Sequence, residues 1–286
     1  MLIFHTIPEL QTYLRTARKK GLKTGFVPTM GALHKGHISL LQQSKSYTGL
    51  TICSIFVNPT QFNDPNDFKK YPITINADIE KLLSIGTDVL FLPSVAEIYP
   101  AGTFNLPYFE LGFLETVLEG KYRPGHFQGV YQVMNRLLQI VEADDLFMGQ
   151  KDYQQCMIIQ HLIKQENINT KLHIAPTLRE DDGLAMSSRN VRLSDLQRTT
   201  AVYIYKALQQ MKQQMKQQMK QGDLTNIKEA ATRLLTSNGF TVDYTELAHA
   251  STLELLTDWN GKDPVVALIA AHLGEVRLID NMVLTH

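Results

Sequence analysis

The strongest constraint on this chain is the alternation of strand-like and helix-like stretches from its start to Pro176. Leu50 to Val57 (LTICSIFV) is a continuous apolar run, Ile75 to Ile85 has helical spacing, and Val89 to Leu92 is a short strand stopped by Pro93. Apolar residues at 130, 133, 134, 137, 138 and 141 form a helical stripe between Phe127 and Val141. Leu146-Phe147-Met148 reads as a strand, Gln155 to Lys164 as a helix, and Leu172 to Ala175 as a strand ended by Pro176. Parallel strands need a crossover long enough for a helix, so this rhythm predicts a parallel sheet covered on both faces. Residues 1–176 are therefore expected to be a Rossmann-like domain of an α/β protein, with ligands at the carboxyl ends of its strands.

One such strand end carries the ten residues PTMGALHKGH, Pro28 to His37. Phe26-Val27 lead in and the helix-like Ile38-Ser39-Leu40-Leu41 lead out, so the segment is a strand-to-helix turn. A helix beginning near Gly36 offers N–H groups and a partial positive charge to a phosphate, and Gly31 and Gly36 let backbone come close to it. His34 and His37 fall on one face of that first turn. The spacing from Gly31 to Gly36 is that of a P-loop, but His37-Ile38 stand where Lys-Ser/Thr is needed. No Gly-x-Gly-x-x-Gly follows a strand here, which argues against a dinucleotide cofactor. The remaining His-x-Gly-His turn resembles the HIGH motif of nucleotidylyltransferases and class I tRNA synthetases. Those enzymes split ATP between its α and β phosphates, where imidazoles can donate to the developing charge.

The loops after other strands are amide-rich. Asn58-Pro59-Thr60-Gln61-Phe62 follows Val57, and Gly149-Gln150-Lys151-Asp152-Tyr153-Gln154-Gln155 follows Met148. Amides can hold the hydroxyl and carboxylate of a small ligand, and Lys151 can meet a phosphate. Arg123 and His126, ahead of the best amphipathic helix, either contact a nucleotide or cap and solvate their turn. Leu178 to Asn190 (LREDDGLAMSSRN) is polar and ends in Met186-Ser187-Ser188-Arg189, which suits a mobile loop closing over a triphosphate in the manner of a KMSKS loop, or a hinge between domains.

A length of 286 residues fits two domains, and Lys plus Arg equals Asp plus Glu at 28 each, so no basic excess points to nucleic acid. The first residues lack the basic start and apolar core of a signal peptide, and no run approaches the ~18 apolar residues of a membrane span, so no membrane partner and a cytoplasmic location are expected. Cys53 and Cys156 stand alone and suggest neither disulfide nor zinc.

From Thr177 the texture changes. Ser194 to Gln197 fits a capping box opening a long helix. Within it MKQQMKQQMKQ, Met211 to Gln221, repeats every four residues; its Met stripe drifts by ~40° per step, which predicts a solvated extension with partial packing. Asp223 is placed to cap a further helix up to Asn238, and Phe240 to Leu247, Val265 to Ala271 and Val276 to Leu284 read as strands. Residues 177–286 are expected to be a smaller, lid-like α+β domain, with the active site in the cleft beside it.

Taken together, PTMGALHKGH, FVNPTQF, Tyr71-Pro72, RPGHFQGV, GQKDYQQ, REDDGLAMSSRN and RLIDN (Arg277 to Asn281) closely resemble the pantothenate synthetase (pantoate-beta-alanine ligase) family over nearly the whole chain. The resemblance implies a pantoyl adenylate made from ATP and pantoate, then attack by the β-alanine amine to give pantothenate, AMP and diphosphate. It implies His37 as the catalytic proton donor. It implies an ATP site of Met30, Gly31, Ala32, Leu33, His34, Lys35, Gly36 and His37, with Gly149, Gln150, Lys151, Asp152, the backbone of Leu178, and Met186, Ser187, Ser188 and Arg189. Gln61 and Gln155 would hold pantoate, with Gln61 also near β-alanine. A homodimer and Mg2+ accompanying ATP are implied as well, with Asp78 a weak candidate for the metal. Ile73, Thr60 and Gln150 depart from the family's common Arg, Met and Glu. A nucleotidylyltransferase that leaves its nucleotide on the product, and a noncatalytic nucleotide-binding module, are the alternatives.

Overall fold

A computed structural model describes residues 1–217 and 222–285. The chain divides into two compact units, Met1–Gln150 with Ile158–Pro176, and Lys151–Met157 with Thr177–His286. The short segment Lys151–Met157 thus groups with the C-terminal residues rather than with the sheet that precedes it.

In the first unit β1 (Leu2–Phe4), β2 (Thr24–Thr29), β3 (Leu50–Ile55), β4 (Val89–Phe91), β5 (Asp145–Gly149) and β6 (Lys171–Ala175) form one sheet in the order β1-β4-β3-β2-β5-β6. Every pairing is parallel. All six residues of β3 are buried, which is why its sequence is apolar throughout rather than alternating. From β2 the chain winds to β3 on one side, and later β5 takes the other side, so the topological switch point lies between β2 and β5.

The helices of the chain up to Pro176 are α1 (Ile7–Lys19), α2 (Lys35–Tyr47), α3 (Pro65–Lys69), α4 (Ile75–Ser84), α5 (Val95–Ile98), α6 (Leu118–Tyr122), α7 (His126–Val141) and α8 (Tyr153–Gln165). Val27, Leu41, Cys53, Leu82, Leu90 and Phe147 pack together where α2 and α4 meet the sheet. On α7 the anticipated stripe is buried along its whole length. Gly129 of that helix lies so close to the Thr60 carbonyl that a Cβ would overlap it, which lets α7 press directly on the turn after β3.

The second unit is built on an antiparallel sheet of β8 (Thr241–His249), β10 (Val265–Leu273) and β11 (Val276–Val283) in the order β11-β10-β8, with a two-residue pair β7 (Gly222–Asp223) and β9 (Asp258–Trp259). Among the described residues it is accompanied by the helices α9 (Asp195–Ala201), α10 (Tyr203–Gln217) and α11 (Thr225–Thr236). The capping box forms, with Ser194 Oγ accepting from Gln197 N and Gln197 Oε1 accepting from Ser194 N. It opens the seven-residue α9, and the chain breaks at Val202 before α10, so the single long helix is in fact two.

The reading of a solvated extension with partial packing holds for Gln213, Lys216 and Gln217, which are exposed, and is corrected for Met211 and Met215, which are fully buried. Met211 and Met215 are 0% and 2% exposed and sit in the second unit's core with Leu208, Ile227, Leu235 and Ile269. One step of the repeat turns by only ~40°, too little to carry the second Met off the buried face. Residues 218–221 of the repeat, Met219 among them, lie outside the described residues.

Candidate active site

The His turn leaves β2 in a shape that side chains alone do not explain. Gly31 and Ala32 both have positive φ, 83° and 48°, the left-handed region that costs a residue with a Cβ. Asp78, fully buried in the first turn of α4, holds them there. Its carboxylate accepts from Ala32 N at 2.8 Å, Leu33 N at 2.8 Å and Thr74 Oγ1 at 3.0 Å. Lys81 Nζ donates to Leu33 O at 2.6 Å, so Asp78 and Lys81 of one helix hold Leu33 at its N–H and at its carbonyl. Both oxygens of Asp78, the weak candidate for the metal, thus accept hydrogen bonds from the His turn, and one also accepts from Thr74. Among the described residues there is no group of three or more His, Cys, Asp or Glu placed to hold a metal ion. Leu33 itself is 2% exposed and packs in the core, so it anchors the turn from below.

His34 caps α2, and the two imidazoles lie with centroids 4.0 Å apart. His34 Nδ1 accepts from Gly36 N at 3.1 Å and His37 Nδ1 accepts from His34 N at 3.3 Å. A backbone N–H can only donate, so each neutral imidazole carries its proton on Nε2. The turn thus sets two N–H donors side by side at the start of a helix.

Gln61 ends the 3-10 turn Pro59–Gln61 that follows β3. Its amide orientation follows from its neighbour. Asn58, 1% exposed, accepts at Oδ1 from Tyr99 OH at 3.0 Å and Thr60 Oγ1 at 3.1 Å. Its Nδ2 is therefore the donor, to Gly129 O at 3.1 Å and Gln61 Oε1 at 3.2 Å. With Oε1 taken, Gln61 presents its NH2, which lies 3.0 Å from Met30 Sδ of the His turn. Burial pushes the Tyr99 phenol above its ordinary value, which keeps it a donor in this network.

Arg123 and His126, left between two readings by the sequence, brace Gln61 from its other side. His126 Nδ1 bonds Gln61 O at 2.8 Å, so it carries the proton, and Nε2 accepts from Arg123 Nη1 at 3.1 Å. Glu119 lies 3.5 Å from Arg123 Nη1 and completes the chain. The strands β3, β2 and β5 are adjacent, so the turn bearing Gln61, the His turn and the Gly149-Gln150 exit share one carboxyl edge of the sheet.

In the second unit Lys151 and Asp152 belong to the 3-10 turn Gln150–Asp152, and Gln155 lies half-buried in the first turn of α8. Tyr153 OH donates to Ala250 O at 2.7 Å and fixes the start of that helix. The polar stretch from Leu178 is a tied hairpin. Met186 N donates to Leu178 O at 3.0 Å, Glu180 N to Leu184 O at 2.8 Å, and Arg179 pairs with Ala185 as an antiparallel bridge. Gly183, at φ 96°, bends the hairpin against the Tyr205 ring, where a Cβ would collide. Arg198 bonds Asp182 at 2.6 Å and holds its carboxyl below the ordinary range. Ser187 then caps the short 3-10 helix Ser188–Arg192, its Oγ accepting from Arg189 N at 3.2 Å, while the side chain of Met186 is buried.

A sequence model described as Pantoate-beta-alanine ligase matches residues 2–283. The pantothenate synthetase of Azobacteroides pseudotrichonymphae is 45% identical over 287 residues, 99% of each chain. A solved pantothenate synthetase from Thermus thermophilus is 36% identical, with a TM-score of 0.91 over 100% of both chains. The pantoate-beta-alanine ligase of Francisella tularensis, solved as a complex with beta-gamma ATP and beta-alanine, is 41% identical with a TM-score of 0.83 over 99% of this chain and 97% of that one. A match that runs from the first strand to the last covers the His turn, the Gln61 turn and the Ser187 hairpin alike, so this chain is an enzyme of the pantoate-beta-alanine ligase family.

Proposed function

We propose that the enzyme condenses pantoate with β-alanine, using ATP, through a pantoyl adenylate. The observation that carries this is the pairing, on adjacent strands, of two imidazoles set as Nε2 donors with a glutamine amide set to present its NH2. A pantoate carboxylate held at Gln61 and Gln155 attacks Pα of ATP; the Pα–O bond to the β phosphate breaks, and diphosphate leaves. His37, with His34 beside it, donates to the phosphate oxygens as their charge grows. The β-alanine amine, near Gln61, then attacks the acyl carbon; AMP leaves, the amine gives up a proton, and an amide remains. Activation is needed because a carboxylate is a poor acyl donor.

ATP is held by the turn from Met30 to His37, by Gly149, Gln150, Lys151 and Asp152, by the Leu178 backbone, and by Met186, Ser187, Ser188 and Arg189. Mg2+ accompanies the nucleotide on its phosphates. The enzyme works as a homodimer in the cytoplasm. Phe104, Tyr108 and Phe113, exposed on one segment between β4 and α7, offer apolar surface for a second copy. No helix among the described residues is long and apolar enough to cross a membrane.

Incubation with pantoate, β-alanine and ATP tests the proposal. It predicts one amide product for each AMP and each diphosphate released. Release of ADP and phosphate, or a final product that keeps AMP, would contradict it.

A further inference from the structure

The RLIDN block near the C-terminus has no part in the chemistry just described, yet two of its residues are among the most buried polar groups of the second unit. Asp280 is 4% exposed and Asn281 2%, both on the edge strand β11. Asp280 takes the Arg179 guanidinium in a two-pronged pair, Oδ2 at 2.5 Å from Nη1 and Oδ1 at 3.0 Å from Nη2. The same guanidinium donates to Gly183 O at 3.1 Å and Asn281 O at 3.3 Å, and it lies over the Tyr205 ring at 4.5 Å. It is therefore the root of the hairpin that ends in Ser187, Ser188 and Arg189. The neighbouring Asn281 reaches the other segment, its Nδ2 donating to Lys151 O at 2.8 Å. Its own N–H bonds Asp280 Oδ1 at 2.8 Å, which locks the two side chains to each other.

We infer that Asp280 and Asn281 are positioning residues that hold the Lys151 turn and the Ser187-Ser188-Arg189 hairpin in one fixed register for the phosphates of ATP. This rests on the proposed contact of those two segments with the nucleotide. The physical reason is geometric. Two segments far apart in sequence must meet one polyphosphate, and consecutive residues of a single strand give them a common rigid reference. Point charges separated by a flexible register would lose the orientation that makes them useful in a transition state. Neither residue touches the nucleotide in this scheme; both act through backbone and through Arg179.

The test compares Asn281→Ala with Lys151→Ala, each first checked for native circular dichroism and cooperative unfolding. Asn281→Ala is expected to raise KM for ATP about tenfold, the scale of one net hydrogen bond, while KM for β-alanine stays within about twofold. A folded Asn281→Ala enzyme with unchanged KM for ATP, in a background where Lys151→Ala does raise it, overturns the positioning role alone. If Lys151→Ala also leaves KM for ATP unchanged, the nucleotide assignment on which the role depends is what has failed. Should the alanine variant not fold, Asn281→Leu takes its place, because it keeps nearly the same volume, removes the donor to Lys151 O and brings no buried charge beside Asp280. Equal loss of affinity for all three substrates would mark a purely structural residue and equally overturn the inference.

Discussion

Replacing Asn58 with aspartate reverses one hydrogen-bonding group while keeping the side chain's size. The native Nδ2 serves Gln61 Oε1 and Gly129 O; a carboxylate would set an acceptor against both. Gln61 can recover its bond only by turning its amide, which then presents Oε1 where the NH2 had been. A pantoate carboxylate meeting an acceptor loses a charge-assisted hydrogen bond of about 1.5–3 kcal/mol, or about 10- to 150-fold in kcat/KM for pantoate. The Gly129 carbonyl, which keeps its bond within α7, would face a carboxylate in place of a donor, which adds about 1–3 kcal/mol of destabilisation, a fall of several degrees in Tm. Initial rates of AMP release against pantoate concentration, with ATP and β-alanine saturating, read the first effect, and thermal unfolding reads the second. A folded variant that loses stability but keeps its kcat/KM for pantoate would refute the claim that Asn58 sets the Gln61 amide for substrate.

Other perturbations probe separate parts of the structure. His37→Ala should cost about 2.7–4 kcal/mol of barrier lowering, seen as a fall in kcat with ATP binding largely retained in calorimetry. Met215→Ala should destabilise the second unit by about 2–5 kcal/mol in denaturant unfolding, because Met215 is 2% exposed in the core; a change below about half a kcal/mol would restore the picture of a solvated helix. Burial raises the Asp145 carboxyl, but hydrogen bonds from Lys23 and His173 outweigh it and hold the group below the ordinary carboxylate range. A depressed folded value gives stability that is complete above the unfolded value and is lost as pH falls through the folded one. Asp145→Asn should therefore lower stability near neutral pH and flatten the acid limb of a stability-against-pH curve; an unchanged limb would remove Asp145 from it.

The sheet was legible because parallel strands buried on both faces are apolar without interruption, as in Leu50–Ile55, and because the α7 stripe runs along the whole helix. Two elements at the N-terminus left no comparable mark. β1 is a three-residue edge strand with Leu2 and Ile3 exposed, and α1 buries only Leu10, Leu14 and Ala17. His34, His37 and Gln61 stand in compact motifs and could be singled out from sequence. The groups that set their geometry could not be assigned that work, since it depends on contacts across the fold. Asp78 reaches Ala32 over 46 residues, His126 reaches Gln61 over 65, and Asp280 reaches Arg179 over 101. Asn58 lay inside a recognisable block, but only the bond from Tyr99 reveals which way its amide faces. The burial of Met211 and Met215 was misjudged because a drift that matters over several steps is small over the two methionines that pack.

Activation of the acid before the amine takes part is the centre of the proposed mechanism. Exchange of labelled diphosphate into ATP tests it most directly, because reversal of adenylate formation needs pantoate and ATP but not β-alanine. Exchange is predicted to appear on adding pantoate alone, to fall about 100- to 1000-fold in the His37→Ala enzyme, and to give way to net AMP release once β-alanine is supplied. Exchange that requires β-alanine, or that proceeds without pantoate, would contradict it.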